Sequence, residues 1–436
     1  MKFIPPRIQQ FLARGSFGRN VALVAGGTAF TQALIILSTP LLTRLYSPSD
    51  FGTFGVYASI ISVLAVIAAL RFEVAIPLPE EEESAIGLLA LSVLTAFAIS
   101  TVLGLIIMVA GEQLVQLTKT KAIQSYLWII PISLLAVGIF QSLSYWAIRH
   151  KGFSQIAKTK INQGWVGILT QVGLGFSNLG PLGLLVGDLL GKTSGVTTLA
   201  RFVHAGNRSL LRSVTLPLIW QTAKRYKGFA AVSSTSSLLN AGTNHLPVML
   251  TAILYDPVTA GYFALATRLI RTPSALVGAA VSQVFYGEAS RLAKEDPSKL
   301  SYLLVQTTKK LIALAIVPTL LLCLFAKPVV PLIFGAPWSA VGSYIQLLSF
   351  LMASQFVVSS ISQIVYVTEN QNKQLLGDAV CLAALVVLCI FCYAYHWPAE
   401  SFVLAYSLLM STYFILFYGF YWQSAKRLER RQVVNA

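Results

Sequence analysis

Charge is what this sequence has least of. Asp, Glu, Lys and Arg make up 11% of its 436 residues, against about 25% in a soluble domain, and the acidic side is the poorer, with 16 Asp and Glu against 32 Lys and Arg. Histidine and cysteine number four each. There is no Asp-x-Asp pair, no zinc-spaced His/Cys set and no Ser/His/acid cluster, which removes the usual equipment of a membrane-bound glycosyltransferase, polymerase or ligase. No G-x-x-x-x-G-K-[ST] loop is present, so direct ATP hydrolysis is not expected. Cys323, Cys381, Cys389 and Cys392 all lie in apolar stretches. Cys389 and Cys392 share a helix face, but with no histidine near them they read as small buried hydrophobes. The sequence calls for no metal, no cofactor and no catalytic residue.

What the chain does have is apolar length. Hydrophobic residues make up 56% and the mean hydropathy is +0.71. A stretch of about 20 apolar residues spans a bilayer core of about 30 Å as a helix, and such stretches follow one another almost without pause. A barrel would alternate polar and apolar residues, whereas "ALVVLCIFCYAY" is apolar on every face. The expected fold is therefore all-α and polytopic, with twelve spans at about 21–45, 52–75, 85–110, 126–147, 161–179, 182–203, 229–254, 259–284, 307–334, 341–366, 375–395 and 400–422.

The basic residues orient it. With both termini in the cytoplasm, the outside loops and span ends hold only Arg44, Lys119, Lys121 and Lys327, Lys192, Arg268 and Arg271 lie within spans, and every other Lys and Arg belongs to an inside loop, span end or terminus. The net charge of +16 is spread over seven inside segments rather than one stripe, so topology explains it and nucleic acid is not an expected partner. The run Glu80 to Glu83 suits the solvated start of the third span. The longest outside loop, 111–125, holds little besides Glu112, Lys119 and Lys121.

One pattern is written twice. "RLYSPSDFGTFGVY" (44–57) and "ILYDPVTAGYFALA" (253–266) share Tyr-x-Pro-x-x-x-Gly-x-Phe at an offset of 209. Both copies fall where an odd-numbered span meets an outside turn, and an even number of spans separates them, so the two halves repeat in parallel orientation. The expected organisation is a basic cytoplasmic arm (1–20), a six-helix bundle (21–203), a basic cytoplasmic linker (204–228), a second six-helix bundle (229–422) and a basic cytoplasmic tail (423–436). The repeated turn serves either as a pair of matching hinges or as a tight Pro/Gly turn needed in each copy.

"TPLLTRLYSPSDFGTFGVY", "LRFEVAIPLP" (70–79) and the stretch 225–291 resemble the Wzx-type polysaccharide-biosynthesis flippases of the multidrug/oligosaccharidyl-lipid/polysaccharide exporter superfamily. The resemblance covers nearly the whole chain and consists of many weak positions. It implies two bundles about a cavity that opens to either side in turn. It also implies transport of an undecaprenyl-diphosphate-linked oligosaccharide from the cytoplasmic to the periplasmic leaflet of a bacterial inner membrane, for O-antigen, capsule or exopolysaccharide. The expected partners are that lipid-linked substrate, membrane lipids, a coupling ion (proton or sodium) and other polysaccharide-assembly membrane proteins. Two other cargoes occur in the superfamily, the peptidoglycan precursor and cationic drugs. A cation exporter would line its cavity with carboxylates, which are scarce here.

A diphosphate crossing lipid needs cations. Arg268 and Arg271, three apart in the eighth span, lie near mid-bilayer, where facing lipid costs at least about 2.5–3.5 kcal/mol each, and their counterparts in the first copy are Ser59 and Ser62. In "GLLVGDLLGKTSG" (183–195), Gly183, Gly187, Gly191 and Gly195 form a smooth ridge for close helix packing. Beside it Asp188 and Lys192 stand at i, i+4. Arg268, Arg271 and Lys192 are the candidate diphosphate ligands. Asp188 either tunes Lys192 or carries a coupling proton, and the alternative is a pair that neutralises itself. Arg44, at the outer end of the first span, and Arg71 with Glu73, at the inner end of the second, are candidate gate or entry and exit residues.

Overall fold

The computed structural model describes residues 16–118, 121–206 and 214–435. The first fifteen residues of the basic arm, Lys119 and the middle of the 204–228 linker lie outside the described residues. Among those described there are no strands, and twelve helices have 17 or more residues. They are α1 Ser16–Leu45, α2 Pro48–Leu64, α3 Glu82–Thr118, α4 Ile129–Arg149, α5 Phe153–Gly175, α6 Leu182–Gly206, α7 Leu216–Leu254, α8 Pro257–Glu295, α9 Leu300–Phe334, α10 Ser339–Ile361, α11 Gln371–Ala394 and α12 Ala399–Asn435. Seven of the described helical segments are long and apolar enough by themselves to cross a membrane. The long helices that fall short include α6 and α8, which carry Asp188, Lys192, Arg268 and Arg271.

The second span departs from expectation. Instead of one helix over 52–75, α2 stops at Leu64, the chain runs through turns to Arg71, and a single helical turn resumes at Phe72–Ala75. Leu70 (φ 48°) and Arg71 (φ 61°) are both left-handed, a conformation that costs a non-glycine residue roughly 1–2 kcal/mol. Hydropathy alone cannot see such a break because the residues on either side are equally apolar. Several helices also outrun the bilayer. At 1.5 Å per residue the 39 residues of α8 reach about 58 Å. Its exposed end is tied by Arg291 to Glu288 (2.5 Å) and Glu295. The guanidinium holds the Glu288 carboxyl below the usual carboxylate range.

The chain divides into two compact units, 1–241 and 242–436, with the division inside α7. In the first unit the principal pairings are α5 with α6 and α1 with α5. The glycines make them possible. A Cβ on Gly191 would stand 2.9 Å from the Gln163 carbonyl oxygen and 3.3 Å from Gly167 Cα, and one on Gly187 would stand 2.9 Å from the Gly167 carbonyl oxygen. Gly183 and Gly195 face Tyr46 and Gln163 in the same way. The predicted ridge is thus the seat of α5. At the C-terminal end of α4, Arg149 donates to the carbonyls of Ile76 and Pro79 and pairs with Glu82 at 3.1 Å, fastening the acidic start of α3. In the second unit α10 packs on α8, α9 and α12. Around its C-terminal half Phe285, Leu304, Phe356, Ile361 and Tyr421 form one apolar cluster.

The duplicated turn is a helix start in both copies. Ser47 caps α2 in a capping box with Asp50, and Asp256 caps α8 by accepting from the Thr259 N–H at 2.8 Å. Pro48 and Pro257 occupy the first helical position, where the missing N–H costs nothing. The repeated tyrosines reach back to main-chain carbonyls. Tyr46 donates to Gln171 O at 2.6 Å and Tyr255 to Pro398 O at 3.4 Å. Each turn thereby joins the first helix of its set to the region of the fifth and sixth.

Candidate functional site

In the first unit Asp188 gathers three helices. Its Oδ2 accepts from Lys192 Nζ one turn along α6 and from Tyr57 Oη of α2 at 3.0 Å. Tyr57 Oη in turn lies 2.7 Å from Ser133 Oγ of α4. Lys192 Nζ is 5.6 Å from the centroid of the Tyr57 ring. Tyr57 is fully buried, whereas the Asp188 and Lys192 side chains remain 23% and 25% exposed. The ion pair is therefore part of a network between helices, and in this state the Lys192 charge is already met by a carboxylate.

Arg71 and Glu73 stand on the broken part of the second span. Arg71 Nη1 is 3.9 Å from Glu73 Oε1, and Arg71 Nε donates to Ser233 Oγ of α7 at 3.4 Å. Glu73 is 1% exposed. The left-handed backbone at Arg71 turns this side chain toward α7, where a continuous helix would have carried it elsewhere. Arg44 is exposed in the last turn of α1, a favourable place for a cation opposite the helix dipole.

In the second unit two cavities meet at Arg271. The first, about 20 Å³, is lined by Asn244, Thr267, Tyr406 and Met410 among others. The second, about 260 Å³, runs along Ser274, Ser282, Gln355 and Ser359. Arg271, Met352 and Gln355 line both, and among the described residues no carboxylate lines either. The guanidinium is oriented by Asn244, whose carbonyl and side-chain oxygens accept from Nη1 at 3.1 Å and Nη2 at 2.9 Å. Two neutral acceptors fix the fork without cancelling its charge, so it keeps its attraction for an anion. Arg268, half-buried on the same helix, lines neither cavity.

The family described as polysaccharide biosynthesis protein matches residues 41–343. The chain belongs to this family. The matched region takes in the repeated turn, the Asp188 network and Arg271 with the α8 wall of its cavities, while Met352, Gln355, Ser359 and Tyr406 lie beyond it. No curated protein matches the chain. Among solved structures, the lipid II flippase MurJ in an inward closed conformation aligns over 94% of this chain and 91% of its own, at 16% identity and a TM-score of 0.71. An inward-facing multidrug resistance MATE transporter of the MOP superfamily aligns over 94% and 99%, at 14% identity and 0.66. A MOP superfamily transporter from Pyrococcus furiosus, described as having a binding pocket of reverse polarity, aligns over 97% and 98%, at 14% identity and 0.57. These likenesses establish the fold of this family member as that of polytopic MOP transporters. The structures it resembles are transporters and a flippase rather than enzymes.

Tyr57, Ser133, Asn244 and Gln355 were not singled out in the sequence of this polysaccharide biosynthesis protein. A signal existed for one of them, since "NAGTNH" (240–245) is a polar run in the middle of the seventh span. Tyr57 and Ser133 carry no such mark, and only the packing of α2 and α4 on α6 brings them to Asp188.

Proposed function

We propose that the protein is a flippase that carries an undecaprenyl-diphosphate-linked oligosaccharide from the cytoplasmic to the periplasmic leaflet of a bacterial inner membrane by alternating access, for surface polysaccharide synthesis. In this reading both termini and the 204–228 linker are cytoplasmic, and six-helix bundles at 21–203 and 229–422 carry the exchange. Membership of the polysaccharide biosynthesis family supports the glycan. The observation that carries the anionic cargo is Arg271: a cation lining two cavities in which no described residue is a carboxylate, its fork oriented by the neutral oxygens of Asn244. A drug-cation exporter would need the opposite charge there. Arg268 and Lys192 are the further diphosphate ligands, with Asp188 holding Lys192 until substrate arrives. A coupling proton or sodium ion supplies the energy. Arg44, Arg71 and Glu73 serve entry, exit or gating.

Depletion tests the whole reading. Lipid-linked oligosaccharide should accumulate in the inner leaflet and surface polysaccharide should fall, while glycosyltransferase activity in extracts persists. Arg271→Ala should reproduce this at normal protein abundance, and Arg271→Lys should restore part of the flipping because charge remains and the fork is lost. Unchanged surface polysaccharide after clean deletion, in a strain without a second flippase, refutes the proposal. Arrested peptidoglycan synthesis would instead assign the protein to the precursor cargo, whose diphosphate makes the same demand on Arg271.

A further inference from the structure

We propose that the larger cavity of the second unit is a sugar subsite, in which Gln355 and Ser282 read the first sugar attached to the diphosphate that Arg271 holds. The inference rests on the flippase reading and adds to it which part of the cargo this unit recognises.

The cavity is built from two polar stripes that face each other. On α8, Arg271, Ser274, Gly278 and Ser282 follow at intervals of three and four residues, so they lie along one helix face. On α10, Gln355 and Ser359 are one turn apart. Gly278 lets the helices approach, since a Cβ there would stand 3.1 Å from Ser360 Oγ. The polar groups divide into two kinds. Ser274 donates to Ile270 O at 3.1 Å and Ser359 to Gln355 O at 2.6 Å, which commits their protons to their own helices and leaves oxygen lone pairs facing the cavity. The Gln355 amide and the Ser282 hydroxyl make no hydrogen bond with the described residues, so both donors and acceptors remain for a ligand.

That inventory is neutral and hydroxyl-like, with one cation at one end. A diphosphate alone would need only the cation. A hydrophobic drug would find too many polar groups to satisfy, because each one it covers without a hydrogen bond costs about 1–3 kcal/mol. A pyranose fits both demands. Its hydroxyls donate and accept in turn, and its apolar face can lie on Met352 and Phe356, which complete the wall. The end holding Arg271 is where the sugar's diphosphate must sit, which fixes the sugar's direction in the groove.

The test is equilibrium binding by full-length protein in lipid nanodiscs, with farnesyl diphosphate and farnesyl diphosphate bearing glucose, galactose or N-acetylglucosamine as probes. Wild type should bind at least one glycosylated probe more tightly than the bare one. Gln355→Ala should weaken that probe about tenfold, erasing the difference, while leaving farnesyl diphosphate unchanged. Ser282→Ala should act in the same direction, and Arg271→Ala should weaken every probe. An unchanged melting temperature will show that Gln355→Ala and Ser282→Ala remain folded. Equal binding of bare and glycosylated probes by wild type overturns the sugar subsite while leaving the flippase reading intact. So does a loss on Gln355→Ala that is the same for all probes, or no loss at all. If wild type binds none of the probes, the diphosphate reading of Arg271 falls with it.

Discussion

Replacing Gly191 by alanine should separate helix packing from helix propensity inside one pair of helices. The added Cβ would stand 2.9 Å from the Gln163 carbonyl oxygen and 3.3 Å from Gly167 Cα. Both are main-chain atoms of α5, so no side-chain rotation can make room and the helices must separate. Overpacking of this kind costs about 1–3 kcal/mol, while the change from glycine to alanine within a helix returns roughly 0.5–1 kcal/mol. The expected net loss is about 1–2 kcal/mol, which at roughly 2–4 °C per kcal/mol lowers the melting temperature of detergent-solubilised protein by several degrees. Gly173, on the same α5, has nothing within 4 Å of its would-be Cβ. Gly173→Ala should therefore keep or raise the melting temperature. The displacement should also reach function, because Lys192 follows Gly191 directly and its partner Asp188 bonds to Tyr57 of α2. Flipping by Gly191→Ala should fall further than its abundance. If Gly191→Ala melts with Gly173→Ala at or above wild type, close backbone contact along the glycine ridge does not hold α5 to α6.

Asp188→Asn should leave Lys192 without its carboxylate among largely buried groups and lower thermal stability, whereas Asp188→Asn with Lys192→Met should recover most of that loss. If the recovered double variant also flips normally, the pair is structural only, and equal stability of all the variants would dismiss the network itself. Single cysteines placed at 204–228 on a background lacking the four native ones should react only with permeant reagents, and those at 111–125 with impermeant ones. Labelling of the 204–228 segment from the periplasmic side would overturn the proposed orientation.

The repeated turn shows how far local sequence reached. The shared Tyr, Pro, Gly and Phe positions locate it, and Pro48 and Pro257 at the first helical position behave as proline must wherever it stands, since its fixed φ and missing N–H are local properties. That Tyr46 ends on Gln171 O and Tyr255 on Pro398 O is not local, because it depends on which helices pack beside the turn. The glycine ridge was equally legible, because a period of four puts its members on one face whatever the surroundings. Its partner helix was not, because many helices could have used so smooth a face.

The charged residues divide along the same line. Hydropathy and the distribution of Lys and Arg determined by themselves that the chain is a multi-pass helical protein, because lipid imposes its demand on each segment separately: length, apolar composition and satisfied backbone. They also marked Asp188, Lys192, Arg268 and Arg271 as costly. Only the tertiary structure decided what each charge meets. Lys192 meets a carboxylate already shared with Tyr57, Arg271 meets the neutral oxygens of Asn244 beside two cavities, and Arg268, three residues away, lines neither. The break after Leu64 belongs to the same category. An apolar run states that a helix is affordable in lipid, but it does not state that the helix continues. The cost of a membrane segment is additive along the sequence, whereas the partner of a charge depends on which helices pack together.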